Sequence, residues 1–274
     1  MNRRLLAALA LVLLFGLTGC TTIFGPEPAD PEALSTDADY NFETDRDGYV
    51  VIDREQYTAV YNVSAKVTGG NGTMSFHRTD RLTIERPLEL RSLQFRHPNG
   101  TVDRYVDGNV TRTYPDESTQ MVETLGVETT RQRTIVEIPA DEGQIAFTTP
   151  KNGKQIAIQP PVHGSYEVAL PPDTDAQLPL LSQVRPTNDD RHEVGDRVHL
   201  LWDDVDTSIL LVRWYLDRDL WLFGGLAGVL LLGGIVGAVY YYLQIQHARV
   251  RREEYGLDTD HDGNDRQGPP PGMG

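Results

Sequence analysis

The sequence predicts a mainly β protein: an antiparallel, sandwich-like domain followed by one C-terminal transmembrane helix. Three observations carry this expectation. Tyr57, Ala59, Tyr61, Val63, Ala65 and Val67 alternate with mostly polar neighbours, the period of a half-buried strand. Short β-prone segments recur between turn-forming groups such as Pro98-Asn99-Gly100 and Asp107-Gly108. The stretch from Leu220 onward carries no charged residue between Asp219 and Arg249, long enough to cross a bilayer as a helix.

The chain opens with Arg3 and Arg4 and a short apolar run over 5–17, too short to span a membrane but suited to a signal sequence. It ends in Leu17-Thr18-Gly19-Cys20, which contains the only cysteine of the 274 residues. A lone thiol makes no internal disulfide. These four residues resemble the lipobox of prokaryotic lipoproteins. The resemblance implies a signal peptide over 1–19, cleavage before Cys20 and lipidation of Cys20. Residues 20–39, rich in Pro, acid and small side chains, read as a flexible tether with a reach of roughly 25 Å.

The β domain is expected over 40–218. Beyond 57–67, strands are expected at 92–97, 101–106, 109–114, 134–138, 144–148, 155–159, 165–170, 198–202 and 208–214. No long stretch between the two apolar segments has a helical period, which favours a sandwich. Two smaller β modules split near residue 120 are the alternative arrangement.

The transmembrane helix is expected over 219–246. Trp214 and Trp221 are placed at one interface and Tyr240, Tyr241 and Tyr242 at the other. Arg249, Arg251 and Arg252 follow the span, so the C-terminus is expected in the cytoplasm and the β domain outside the cell membrane. Gly224 with Gly228, and Gly233 with Gly237, have the small-xxx-small spacing that admits a neighbouring helix. Residues 247–274 read as a disordered tail, rich in Gly, Pro and Asp towards its end. Its Asp258, Asp260 and Asp262 resemble half of a calcium loop, but Pro269 stands where the closing glutamate is required.

The formal net charge is −15, from 40 acidic against 25 basic residues, of which only Lys66, Lys151 and Lys154 are lysines. Dispersed carboxylates without a basic patch argue against a nucleic-acid partner. They match the composition of salt-loving archaea, whose surfaces tolerate such charge because the Debye length is about 3 Å at 1 M salt. Asn62, Asn71, Asn99 and Asn109 head sequons and are candidate N-glycosylation sites. His192 and His199 stand seven apart, a spacing without special meaning in the sequence. The Asp203, Asp204, Asp206 cluster reads as surface charge. No catalytic residue, metal ligand or cofactor is expected, and no nucleotide, serine-hydrolase or metalloprotease motif occurs.

The layout of lipobox, acidic β domain, glycine-rich span and "RVRREEYGLDTD" resembles an uncharacterised domain-of-unknown-function family of haloarchaeal membrane lipoproteins. The resemblance implies no activity. The expectation is a membrane-anchored surface lipoprotein, not an enzyme, that binds or organises envelope partners, with membrane lipid and other membrane helices or envelope proteins as its contacts. An accessory subunit of a membrane complex is the alternative, and a surface hydrolase a more distant one.

Overall fold

The computed structural model describes residues 27–79 and 84–254. The expected signal segment, Cys20 and the aspartate-rich tail lie outside the described residues. Two units divide after Asp217.

The first unit is built on a ten-stranded sheet. Its order is Asp190–Val194, Arg197–Val205, Gly164–Ala169, Gly48–Ile52, Gln56–Val63, Gly143–Pro150, Arg91–Arg96, Val102–Val106, Asn109–Thr113 and Thr119–Val122. All neighbours are antiparallel except Gly48–Ile52 and Gly164–Ala169, which run parallel with Tyr166 opposite Gly48. A five-stranded sheet includes Thr73–Thr79 and Thr134–Glu137; a three-stranded sheet joins Gln155–Ile158, Leu210–Arg213 and Gln183–Arg185. A two-stranded ladder pairs Thr174–Asp175 with Tyr215–Leu216.

The period-2 pattern explains which face is buried. Tyr57, Ala59, Tyr61 and Val63 point inward from Gln56–Val63, as the alternation predicts. Tyr61 lies against Phe147 and Tyr166, with ring centroids 6.0 and 6.2 Å away. Phe76, from the five-stranded sheet, meets Phe147 edge-on at 4.9 Å, so the two sheets interlock through aromatic rings. Ile156, Leu210 and Val212 of the three-stranded sheet join the same cluster. The core is therefore contiguous, and residue 120 lies inside the edge strand Thr119–Val122 rather than at a module boundary.

Turn chemistry fits the expected hairpins. Asp107 and Gly108 both have positive φ, 49° and 80°, as a two-residue primed turn requires. The alternation over 57–67 ends early: the ladder stops at Val63, and the run to Gly72 is turns with positive φ at Gly69, Gly70 and Gly72. Three strands of five residues or more among the described residues were not expected from the sequence: Gly48–Ile52, Thr73–Thr79 and Asp190–Val194.

The expected tether departs from the structure over its described part. Glu27–Pro28 pairs with Val127–Thr129. Asp30 caps the helix Pro31–Leu34 through a 3.0 Å bond from the Glu32 backbone, and Leu34 is 3 % exposed in the core. One buried leucine and a capped turn suffice to fasten the segment. Residues 38–46 then cross the outer face of the large sheet. The Tyr40 hydroxyl donates to the Ser92 carbonyl at 2.8 Å, and Gln94 donates to the Ala38 carbonyl at 2.9 Å. Burial pushes the Tyr40 hydroxyl up to about 12, against the pull of its bonds to Thr148 and Ser92, so it remains a donor.

The second unit holds all but the first residue of the helix Asp217–Glu254. It starts before the expected 219 and continues past 246, so residues 247–254, expected in the disordered tail, are helical. At 1.5 Å per residue its 38 residues reach about 57 Å, and its apolar part is long enough to cross a membrane. Trp214, expected at the membrane interface, is instead a core residue 3 % exposed, with the Lys151 ammonium 4.9 Å from its ring centroid. Trp221 is on the helix and 83 % exposed.

A Cβ on Gly48 would lie 2.4 Å from the fully buried ring of Tyr166. Gly48→Ala is expected to destabilise the domain by about 1–3 kcal/mol through overpacking. Urea unfolding followed by tryptophan fluorescence checks this, and an unchanged midpoint would show that the ring has room to move.

Candidate functional site

Three arginines meet in one groove of about 590 Å³. Arg213 is directly opposite Gln183 in the three-stranded sheet, and Arg185 lies two residues further on the same face as Gln183. Arg191 enters from the edge strand Asp190–Val194, opposite Leu200. Asp175 is the only carboxylate among the described residues that line the groove. It sits 3.4 Å from Arg191, which also reaches Glu193 at 3.2 Å. Arg185 and Arg213 are exposed and have no carboxylate within salt-bridge distance among the described residues. Leu180 and Pro179 add an apolar lip; Leu180 is 81 % exposed. Guanidinium groups beside apolar surface suit an oxyanion such as a carboxylate or a sulfate.

A second cluster is buried and fully paired. Asp103 has no exposed side-chain surface. Arg112 grips both its oxygens, at 2.6 and 2.7 Å, while His97 Nε2 at 3.1 Å and the Thr124 hydroxyl at 3.1 Å complete the shell. Burial alone would raise the Asp103 carboxyl. The hydrogen bonds from Arg112 and His97, with their charges, outweigh it and hold the carboxyl below its ordinary value. This carboxylate has no room for a substrate, so the network is a structural brace between the neighbouring hairpins.

A third cluster was not legible as a site in the sequence. His192 and His199 are cross-strand partners in the hairpin of Asp190–Val194 and Arg197–Val205. Their rings stack at 5.2 Å, and His199 Nδ1 lies 2.6 Å from the Glu167 carboxylate. The seven-residue spacing has a meaning after all. Gly195 has φ 64° and forms the two-residue turn with Asp196, so pairs sum symmetrically about that turn and 192 falls opposite 199. That Gly-Asp turn, between Val194 and Arg197, was the available signal.

The candidate residues read from sequence do not converge on one place. Asn71, Asn99 and Asn109 are exposed. Asn62 is half-buried, and its Nδ2, the atom a glycan would occupy, donates to the Arg46 carbonyl at 2.9 Å while its Oδ1 accepts from Gln144 at 3.0 Å. Asn62 does face the polar side of its strand, but crossing residues cover that side. Asp203 and Asp204 lie within the strand Arg197–Val205 and are exposed, in keeping with surface charge. Gly224, Gly228, Gly233 and Gly237 lie on the long helix, where an added Cβ would meet nothing within 4 Å.

Fold and groove together define a β-domain protein with one helix long and apolar enough to cross a membrane. The chain belongs to DUF5803, a family of unknown function, whose model matches residues 44–260. No curated protein and no solved structure matches it.

Because Asp103 titrates below its ordinary value when folded, the stability it confers is present above about pH 4. It is lost as the pH falls through the depressed folded value. Asp103→Asn is expected to cost about 3 kcal/mol at neutral pH, since it leaves Arg112 without its charge partner. It should also flatten the acid limb of the stability profile. Denaturation at a series of pH values checks both.

Proposed function

We propose that this protein is a membrane-anchored surface lipoprotein that binds envelope partners, and that its arginine groove receives an anionic group from them. The observation that supports this reading is the concentration of Arg185, Arg191 and Arg213 around a single carboxylate, in a chain whose net charge is −15. Dispersed surface acid repels anions at long range, so a local cluster of cations is a specific exception to the field. The class of ligand is a carboxylated or sulfated group on a surface glycan or protein, held in a binding role without catalysis. In molar salt, screening removes long-range steering but leaves contact ion pairs.

The rest of the reading follows from the ends of the chain. The lipobox supports lipidation of Cys20, and the arginines after the span support a cytoplasmic C-terminus with residues up to 216 outside the cell membrane. With lipid at one end and a span at the other, the domain is held beside the membrane. The acidic composition supports a haloarchaeal origin. A second reading, an accessory subunit of a membrane complex, is favoured by the open glycine positions Gly224, Gly228, Gly233 and Gly237.

Arg185→Glu with Arg213→Glu is expected to reduce recovery of co-purifying envelope components from mild detergent by about 10-fold or more, because charge-assisted bonds contribute about 1.5–3 kcal/mol each. Both side chains are exposed, so the unfolding midpoint should not move. Equal recovery from both proteins would refute the groove's role.

Glycan mapping tests the location independently. Peptide mass spectrometry of protein from its native membrane is expected to find glycan on Asn71 or Asn99 and none on Asn62, whose amide is tied into the fold. A glycan on Asn62 would show that the crossing segment opens before the domain is complete.

A further inference from the structure

The hairpin of Asp190–Val194 and Arg197–Val205 has two chemically different faces. Arg191 and Leu200 face the groove, whereas His192 and His199 face the other side. On that second side Glu167, His192 and His199 each offer a ligand atom, all within 4.8 Å of one another. We infer that these three residues form a binding site for one divalent transition-metal ion of the zinc class.

The sheet register builds the cluster. His192 and His199 are directly opposite, which places their Cβ atoms about 5 Å apart. Ala169 is the partner of His199 on the next strand. Its small side chain lets the His199 ring lean across to the diagonal neighbour, Glu167. A larger residue at 169 would occupy that path. His199 and Glu167 are largely covered, with side chains 9 % and 18 % exposed, while His192 is exposed on the edge strand. Two ligands are thus fixed in the sheet, and the third is free to close on an ion.

The ligand chemistry selects the ion. Two imidazoles and one carboxylate suit zinc and its borderline neighbours, not calcium or magnesium, which prefer oxygen. Bonds of about 2.1 Å place tetrahedral ligands roughly 3.4 Å apart, so the set must contract slightly, which the exposed His192 permits. The 2.6 Å contact between His199 Nδ1 and Glu167 holds a hydrogen where the cation would sit. The ion replaces that hydrogen, and the proton leaves to solvent or to Nε2 of the same ring. Charge at the rim favours a cation: Asp190 shares the face of His192. The Arg197 guanidinium on this face is already engaged by Asp53 and the carbonyls of Ile52 and Leu170. Three protein ligands leave one position for water or for a partner's side chain.

The site lies across the hairpin from the arginine groove and does not depend on its reading. Full-length protein in mild detergent, stripped with chelator, is titrated with Co²⁺ as a spectroscopic probe and then with competing Zn²⁺. One equivalent of Co²⁺ with visible ligand-field bands, displaced by Zn²⁺, is the expected result. His192→Ala, at an exposed position that folding tolerates, should weaken binding at least about 100-fold, and Glu167→Gln should weaken it in the same direction. Absence of bands in the wild type overturns the inference. So does uptake of metal that both variants leave unchanged, which would assign it to surface carboxylates elsewhere.

Discussion

The parallel pairing of Gly48–Ile52 with Gly164–Ala169 is the joint on which the molecule depends. Every other contact in the large sheet is antiparallel, and this pair alone connects its three-stranded and seven-stranded portions. Parallel pairing is slightly weaker per residue and joins segments far apart in sequence. The structure clamps it at both ends. The Asp47 carboxylate accepts from the backbone and hydroxyl of Ser165 at 2.9 and 3.0 Å. At the far end Arg197 donates to the carbonyls of Ile52 and Leu170 and pairs with Asp53 at 2.6 Å. Gly48 lets the Tyr166 ring lie on the backbone between these clamps. Both candidate sites depend on this joint, because it carries Glu167 and supports the hairpin that presents Arg191 and His192.

Much of the large sheet was legible because its strands have one apolar and one polar side. Gln56–Val63 and the pair Val102–Val106 and Asn109–Thr113 announce themselves by alternation and turns. Gly48–Ile52 was hidden for the opposite reason. Its run Tyr49-Val50-Val51-Ile52 is apolar throughout, without the period that marks a half-buried strand. Asp190–Val194 was hidden by polarity: "DRHEV" has almost no apolar residue, because an edge strand needs only one good neighbour and is kept charged against further pairing. The parallel joint pairs segments more than 100 residues apart, a separation over which local pattern carries no information. The arginine groove was illegible for the same reason, since Arg185, Arg191 and Arg213 sit on three strands from two sheets.

The described part of the expected tether shows how little apolar surface decides order. Between Glu27 and Asp39 the composition is that of a linker. Leu34 alone, fully covered, brings roughly 2 kcal/mol of burial, and the strand Glu27–Pro28 adds a short ladder to Val127–Thr129. The long helix presents the contrasting case. Its leucines, valines and tyrosines are exposed along its whole length, which in water would be costly, and a bilayer is the medium in which that surface is at ease.

Charge pairing in the domain gives the arginines their separate roles. Arg112 is matched to Asp103, Arg197 to Asp53, and Arg133 to Glu85. Each of these pairs fastens one strand or turn to another. Arg185 and Arg213 are distinguished by their place, because their strands turn both into one groove where Asp175 is already taken by Arg191. A cation kept from the carboxylates of its own chain is available to an anion from another. The two-residue period of one hairpin then sets this cationic groove on one face and the histidine cluster on the reverse, so a single structural element separates an anion-seeking surface from a cation-seeking one.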